Sequence, residues 1–177
     1  MNKKRYIKKN AVFLDRDGTI NYDYGYVSRF SNFKFRPHVI NGLKYLSRKN
    51  YLIFIVTNQA GLAKGKFKLH DLILLHKKLK VFLKKRKIII NDIEYCPYHP
   101  LGVIKKYRKK SDYRKPGNKM IIKLIKKWKI NTKKSFMLGD KNSDKRAAKK
   151  SRLYYEHVKS NFYNQVKNID KKLLNNY

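Results

Sequence analysis

Two pairs of aspartates stand out because each pair follows a short apolar run. Asp15 and Asp17 lie in DRDGT after AVFL, and Asp140 and Asp144 lie in GDKNSD after SFML. One carboxylate of such a pair can attack a phosphoryl group and form an aspartyl-phosphate, while a second can exchange a proton with the leaving alkoxide and with water. A surface Asp-Gly turn and a capped helix start are the alternative interpretations. Since the chain has only 11 acidic residues, the four in these two motifs favour phosphoryl transfer.

The same carboxylates could hold a divalent cation. Mg²⁺ prefers six oxygen ligands in near-octahedral geometry and keeps several waters, so two or three protein oxygens suffice. Asp15, Asp140 and the backbone carbonyl of Asp17 could supply them. We therefore predict Mg²⁺ as the cofactor.

Two further motifs could hold phosphate oxygens. The hydroxyl of Thr57 and the backbone N–H groups after it follow the apolar run YLIFIV, and such donors can stabilise a transferring phosphoryl group. Lys115 lies in RKP, where Pro116 and a following helix would fix its direction. A capping turn and a solvated basic pair remain the alternatives for each motif alone.

These motifs need elements that bring them together. We predict an α/β fold, with a Rossmann-like, mainly parallel sheet flanked by helices, because apolar runs alternate with amphipathic segments. The predicted strands are 11–15, 51–56, 92–96, 135–140 and 153–158. The predicted helices are 37–49, 69–86, 117–129 and 142–151. The carboxyl ends of parallel strands meet at one edge, where ligands bind.

The chain is expected to form a single domain over residues 1–177, with the motifs within 11–150 and residues 158–177 peripheral. Its apolar runs are too short to span a bilayer, and the basic N-terminal stretch precedes no apolar signal region. A single cysteine, Cys96, excludes an intrachain disulfide. We expect a cytoplasmic protein with no membrane partner.

The formal net charge of +35 has two interpretations. Such a field concentrates polyanions, which would favour a nucleic-acid partner. Alternatively, the abundance of Lys, Asn, Ile, Tyr and Phe reflects compositional drift, since lysines occur along nearly the whole chain. We favour drift and expect no specific nucleic-acid partner.

Taken in order, the motifs resemble those of the haloacid dehalogenase superfamily. AVFLDRDGTIN, GYV, TNQAGLAKGKF, CPYHP, RKP and GDKNSD together are similar to the D-glycero-D-manno-heptose 1,7-bisphosphate 7-phosphatase family, which is close to the histidinol-phosphatase domain. The resemblance implies a nearly capless haloacid dehalogenase fold. It also implies removal of the 7-phosphate from a small sugar bisphosphate in lipopolysaccharide heptose biosynthesis, and we expect a monomer.

The resemblance also implies roles for individual residues. Asp15 is the nucleophile, Asp17 the general acid and base, and Thr57 and Lys115 hold the phosphoryl group. Asp15, Asp17 and Asp140 bind Mg²⁺. The implied substrate contacts are Asp23, Tyr24, Gly25, Tyr26, Asn58, Gln59, Ala60, Arg114 and Lys141.

One departure from the family concerns zinc. Its members commonly bind a structural zinc through four side chains, and the corresponding residues are Cys96, Tyr98, Ser111 and Tyr113. Because tetrahedral structural sites use four Cys or His ligands, we predict that zinc is absent and that Tyr98 and Tyr113 pack together in its place.

Three other functions stay open. A polynucleotide 3′-phosphatase shares the main motifs and suits the charge, and a histidinol-phosphate phosphatase shares the family. A basic nucleic-acid-binding protein without activity would not need the complete catalytic set that this chain retains.

Overall fold

The computed structural model describes residues 9–175, so the basic N-terminal residues 1–8 and the last two residues lie outside the described part. Its centre is a five-stranded sheet with the order β3-β2-β1-β4-β5, in which every neighbouring pair is parallel. Helices pack on both faces of the sheet. The predicted α/β fold class, a mainly parallel sheet flanked by helices, is confirmed.

The elements follow the predicted alternation. The strands are β1 (Ala11–Leu14), β2 (Leu52–Asn58), β3 (Ile90–Cys96), β4 (Phe136–Gly139) and β5 (Tyr154–His157). The helices are α1 (Val39–Arg48), α2 (Ala60–Ala63), α3 (Leu69–Lys84), α4 (Lys119–Trp128), α5 (Asn142–Lys150) and α6 (Phe162–Asn175). None of these helices combines the length and apolarity needed to span a bilayer.

The central strands are buried on both faces, as expected of a parallel sheet covered by helices. All four residues of β1 and all four of β4 are buried. Side chains of alternate strand residues therefore enter two separate apolar clusters. One contains Leu14 with α1, α3 and α6, and the other contains Phe13 with α4 and α5.

Some boundaries differ from the predicted ones. β3 starts at Ile90 rather than residue 92, because Ile90 already pairs with Ile53 of β2. The segment 57–67, predicted as a loop, contains the one-turn helix α2.

The C-terminal segment corrects the prediction. Residues 158–177 were expected to be peripheral, but α6 packs against α1 and buries Phe162, Val166, Ile169 and Leu173 in the apolar cluster. This contact leaves no room for a side chain at Gly42 in α1, since an added Cβ would lie 2.4 Å from the ring of Phe162. These apolar positions have the spacing of one face of a helix. The polar residues between them make that pattern hard to recognise in the sequence.

A buried carboxylate ties α6 to the rest of the core. Asp170, which is 2% exposed, accepts hydrogen bonds from the hydroxyls of Tyr45 (2.6 Å) and Tyr51 (2.9 Å). Burial and the neighbouring carboxylate both raise the pKa of Tyr45, to about 12, and that of Tyr51. Both hydroxyls therefore stay protonated donors at neutral pH.

We expect Tyr51→Phe to lower the free energy of unfolding by about 1–3 kcal/mol, because it removes a donor from a buried carboxylate. Urea denaturation measures the change. Tyr45→Phe is the matched control and should cost less, since Tyr45 is half-buried and water can replace its hydroxyl. An equal or larger loss for Tyr45→Phe would contradict this account.

Candidate active site

A cavity of about 440 Å³ opens at the carboxyl edge of the sheet, where β1 and β2 end. All residues predicted for the site line this cavity except Tyr24 and Asp140. Gly61 and Ser143, which were not predicted, line it as well. The lining residues are Asp15, Asp17, Asp23, Gly25, Tyr26, Thr57, Asn58, Gln59, Ala60, Gly61, Arg114, Lys115, Lys141 and Ser143.

Lys115 lies between two carboxylates at the base of this site. Its Nζ is 2.9 Å from Oδ1 of Asp15 and 2.6 Å from Oδ1 of Asp144, and it donates to the carbonyl of Val56 at 2.8 Å. All three charged groups are almost fully buried. Breaking such a buried pair leaves an uncompensated charge, so the cluster fixes the direction of Lys115 strongly.

The three charged groups of this cluster shift the pKa values of Asp15 and Lys115. Burial raises the pKa of Asp15 to about 6, the ammonium of Lys115 opposes that rise, and the charge of Asp144 adds to it. Burial alone would lower the pKa of Lys115, but Asp15 and Asp144 raise it above its usual value. Lys115 therefore stays cationic and can neutralise charge on a bound phosphoryl group.

Asp17 is held by four hydrogen bonds. Arg16 donates from Nε to Oδ1 (3.1 Å) and from Nη2 to Oδ2 (2.8 Å). Asn21 donates to Oδ1 (2.9 Å), and Nε2 of Gln59 donates to Oδ2 (3.0 Å). Nε2 of Gln59 also donates to Oγ1 of Thr57 at 2.9 Å. One amide thus links the predicted phosphate-binding hydroxyl with the predicted general acid.

Three carboxylates could hold a metal ion. Oxygens of Asp15, Asp140 and Asp144 lie within 4.8 Å of one another. Oδ1 of Asp140 is buried, and no donor in residues 9–175 bonds to it. A buried carboxylate oxygen without a donor fits a cation ligand, so the donor set suits Mg²⁺. Asp144 is the addition to the predicted set of Asp15, Asp17 and Asp140.

Gly18 makes room for this arrangement. Its φ of +84° lies in the left-handed region, and an added Cβ would lie 2.2 Å from Oδ2 of Asp140. Only glycine tolerates both conditions. The glycine of DRDGT therefore lets the loop after β1 approach the carboxylate that follows β4.

The residues after β2 divide into two roles. The side chain of Asn58 was expected to contact substrate, but it bonds to the backbone of Lys115 on both sides, accepting from its N–H and donating to its carbonyl at 3.0 Å each. Asn58 thus lines the cavity while it fixes the segment that carries Lys115. Thr57, Gln59 and Ala60 also line the cavity, and their contact with substrate stays a prediction.

The predicted sugar-contacting loop is only partly directed at the cavity. Oδ2 of Asp23 is 3.3 Å from Nζ of Lys141, which joins this loop to the motif after β4. Tyr26 lines the cavity. Tyr24 does not: it is 62% exposed and its ring stacks on Tyr22, with 5.9 Å between centroids. The prediction that Tyr24 contacts substrate is therefore not supported by its position.

The segment in place of the zinc site also differs from expectation. Cys96 is buried. The ring of Tyr98 pairs with that of Tyr107 at 6.4 Å between centroids, and Nζ of Lys109 lies 4.2 Å from the centroid of the Tyr98 ring. Tyr113 is 38% exposed. The predicted pairing of Tyr98 with Tyr113 is wrong, because Tyr107 from the same loop occupies the position beside Tyr98.

Sequence reasoning missed several residues of the site. Arg16 and Asn21 donate to Asp17, His76 contacts Arg16, and Asp144 pairs with Lys115. A signal existed for Asp144, since it lies one helical turn after Asp140. None existed for His76, because it reaches the site from α3, 60 positions away from Arg16.

The fold and the arrangement of carboxylates with lysine define a phosphatase of the haloacid dehalogenase class. Two solved structures share the fold. A putative HAD-like phosphatase from Mesorhizobium loti has a TM-score of 0.84 at 24% identity, covering 94% of this chain and 88% of that one. The D,D-heptose 1,7-bisphosphate phosphatase from B. bronchiseptica, complexed with magnesium and phosphate, has a TM-score of 0.78 at 20% identity, covering 95% and 99%.

Relatives in sequence identify the family to which the chain belongs within this class of phosphatases. The family model described as polynucleotide kinase 3 phosphatase matches residues 11–176. The D-glycero-beta-D-manno-heptose-1,7-bisphosphate 7-phosphatase of Rhodopseudomonas palustris is 38% identical over 80% of this chain and 79% of its own length. The same enzyme of Haemophilus influenzae is 41% identical over 77% and 74%. The chain belongs to the polynucleotide kinase 3 phosphatase family. It also belongs to the family of D-glycero-beta-D-manno-heptose-1,7-bisphosphate 7-phosphatases, which confirms the predicted resemblance.

Proposed function

We propose that this phosphatase removes the 7-phosphate of D-glycero-D-manno-heptose 1,7-bisphosphate in a Mg²⁺-dependent reaction through an aspartyl-phosphate. The names of relatives at 38–41% identity support the substrate. The observation that carries the mechanism is the buried cluster of Asp15, Lys115 and Asp144 in the same cavity as Thr57.

In the first half-reaction, a carboxylate oxygen of Asp15 attacks phosphorus. An O–P bond to Asp15 forms as the bond between phosphorus and the sugar oxygen breaks. Asp17 gives its proton to the leaving sugar alkoxide. Lys115 and the hydroxyl of Thr57 hold the transferring phosphoryl oxygens, whose charge they offset.

In the second half-reaction, water attacks the phosphorus of the aspartyl-phosphate. Asp17, now ionised, takes a proton from that water, and the bond from phosphorus to Asp15 breaks. Inorganic phosphate leaves and both carboxyl groups return to their starting states. Splitting hydrolysis in this way replaces one difficult displacement by two easier ones.

Asp15, Asp140 and Asp144, with the carbonyl of Asp17, would hold Mg²⁺. When bound, the ion would supply positive charge that offsets the negative charge of the phosphate. The cavity itself carries three acidic side chains, Asp15, Asp17 and Asp23, against Arg114, Lys115 and Lys141. Added positive charge would therefore turn a balanced cavity into one that attracts a phosphate dianion.

Activity should disappear in EDTA and return when excess Mg²⁺ is added. A second readout is thermal unfolding: Mg²⁺ should raise the Tm of the wild type, because a ligand of the native state stabilises it. Asp140→Asn should reduce this rise, whereas Asp112→Asn, at an exposed side chain outside the cavity, should not. Full activity in chelator would refute the metal requirement.

A polynucleotide 3′-phosphatase is the second candidate. The description of the matching family and the net charge of +35 favour it. If the lysines reflect composition, DNA binding will be non-specific and will weaken steeply with salt.

A substrate panel separates the candidates. We expect kcat/KM to be highest for the heptose bisphosphate and at least about tenfold lower for histidinol phosphate and for a 3′-phosphorylated oligonucleotide at physiological salt. A higher kcat/KM for the oligonucleotide would establish the second candidate instead. We further infer a cytoplasmic, monomeric enzyme of lipopolysaccharide heptose biosynthesis that acts on a small phosphorylated sugar without a specific nucleic-acid partner.

A further inference from the structure

Arg16 is a fully buried cation that bonds to Asp17 of the active site and that none of the proposed chemical steps uses. Its side chain is 0% exposed. Besides its two bonds to Asp17, it donates from Nη2 to the carbonyl of Val27 at 2.6 Å, and its Nη1 lies 3.2 Å from Nε2 of His76. Burying a guanidinium costs free energy unless its N–H groups find hydrogen-bond acceptors. A residue held by this set of contacts is therefore a candidate for a role in the site.

His76 acts as an acceptor in this set. Burial lowers the pKa of His76 to about 3, and the neighbouring charge of Arg16 lowers it in the same direction. The imidazole is therefore neutral, and Nε2 can accept a hydrogen bond from Nη1 of Arg16 while the proton resides on Nδ1. Since His76 lies in the middle of α3, it anchors the guanidinium to the main body of the fold.

The guanidinium is thereby fixed in direction as well as in place. Nη1 is directed to His76, and Nη2 is shared between Val27 and Asp17. Nε and Nη2 then meet the two oxygens of Asp17 as a planar fork. Such bidentate pairs define the orientation of a carboxylate, and lysine cannot reproduce them because its ammonium is a point charge.

We propose that Arg16 and His76 are positioning residues that set the orientation of the Asp17 carboxyl for proton transfer to the leaving group. This inference rests on the proposed role of Asp17. Its consequence is a dependence on the leaving group: misplacing Asp17 should slow the release of an alkoxide, which needs a proton, far more than that of 4-nitrophenolate, which is stable as an anion.

The test measures phosphoenzyme formation rather than overall turnover, because Asp17 also serves the second half-reaction. Rapid-quench experiments with Mg²⁺ measure the rate of phosphoenzyme formation from an alkyl phosphate in a single turnover. The burst of nitrophenolate measures the same rate for 4-nitrophenyl phosphate. The variants are Asp17→Asn, Arg16→Lys and the matched pair His76→Leu and His76→Gln. The glutamine Oε1 can still accept from Arg16, whereas leucine fills the space without an acceptor.

We expect Asp17→Asn to lower the ratio of alkyl to nitrophenyl rates by about 10²-fold or more. Arg16→Lys and His76→Leu should lower the same ratio by at least about tenfold, since small displacements of a reacting group are costly. His76→Gln should retain most of the wild-type ratio of alkyl to nitrophenyl rates. Thermal unfolding of each variant shows whether it folds. If Arg16→Lys does not fold, the His76 pair decides alone.

Two outcomes overturn the inference and are distinguishable. If Asp17→Asn lowers the ratio but Arg16→Lys and His76→Leu lower both rates equally or neither, the two residues are merely structural. If Asp17→Asn itself leaves the ratio intact, the proposed proton-transfer role of Asp17 fails, and the positioning inference fails with it.

Discussion

Asp15→Asn is expected to reduce turnover on the order of 10³-fold or more while the protein remains folded. An amide cannot act as the nucleophile that forms the aspartyl-phosphate, and removing a nucleophile is among the most damaging changes to an enzyme. Phosphate release from any accepted substrate measures this effect. Asp112→Asn, at an exposed position, is the matched control and should retain full activity. More than about a tenth of wild-type turnover in Asp15→Asn would contradict the assignment.

The same variant should gain stability in the absence of Mg²⁺. The carboxyl of Asp15 ionises with a pKa of about 6 in the folded protein against a usual value of 3.8. Between these values the folded state binds more protons than the unfolded state, so this group lowers stability as pH rises through that window. At neutral pH the cost is fully present, and the neutral amide removes it. We expect a higher Tm at pH 7 for Asp15→Asn; a lower Tm would mean that the pairing with Lys115 outweighs the burial cost.

Asp17→Asn should lower turnover of an alkyl phosphate by about 10²–10⁴-fold, because a positioned proton donor contributes that much. Its effect on stability should have the opposite sign to that of Asp15→Asn. Both oxygens of Asp17 accept hydrogen bonds from Arg16, and Asn21 and Gln59 donate to them as well. The amide NH₂ would face one of these donors and leave it without an acceptor.

Steady-state kinetics with an alkyl phosphate and thermal unfolding at pH 7 measure the two consequences together. Asp112→Asn again serves as the control for the removal of one negative charge. An unaffected rate with the alkyl phosphate would eliminate Asp17 as the general acid. A Tm equal to that of the wild type would show that the four hydrogen bonds contribute little to stability.

The sequence predicts the parts of this molecule that depend on local pattern. Apolar runs such as that of β1 can only be satisfied inside a sheet, and parallel topology then directs the residues after β1, β2 and β4 to one edge. The sequence therefore predicts that Asp15, Thr57 and Asp140 lie close together. The identification of Lys115 depended on the family resemblance, because one cation among 46 is weak evidence on its own.

Contacts between distant segments could not be predicted in this way. Arg16 pairs with His76 across 60 positions, and Asp170 with Tyr51 across 119. Nothing in the local sequence around His76 or Asp170 distinguishes a buried hydrogen-bonding role from a position on an amphipathic helix. The pairing of Tyr98 with Tyr107 instead of Tyr113 depends on how a long irregular loop folds back, which its composition does not determine.

The most direct measurement is to identify the residue that carries the phosphoryl group. A single turnover with D-glycero-D-manno-heptose 1,7-bisphosphate and Mg²⁺ is quenched, treated with borohydride and analysed by peptide mass spectrometry. Reduction of an aspartyl-phosphate yields homoserine, which we expect at position 15 together with the sugar 1-phosphate as product. Phosphate release from position 7 without modification of Asp15, or with modification of a different residue, would contradict the account.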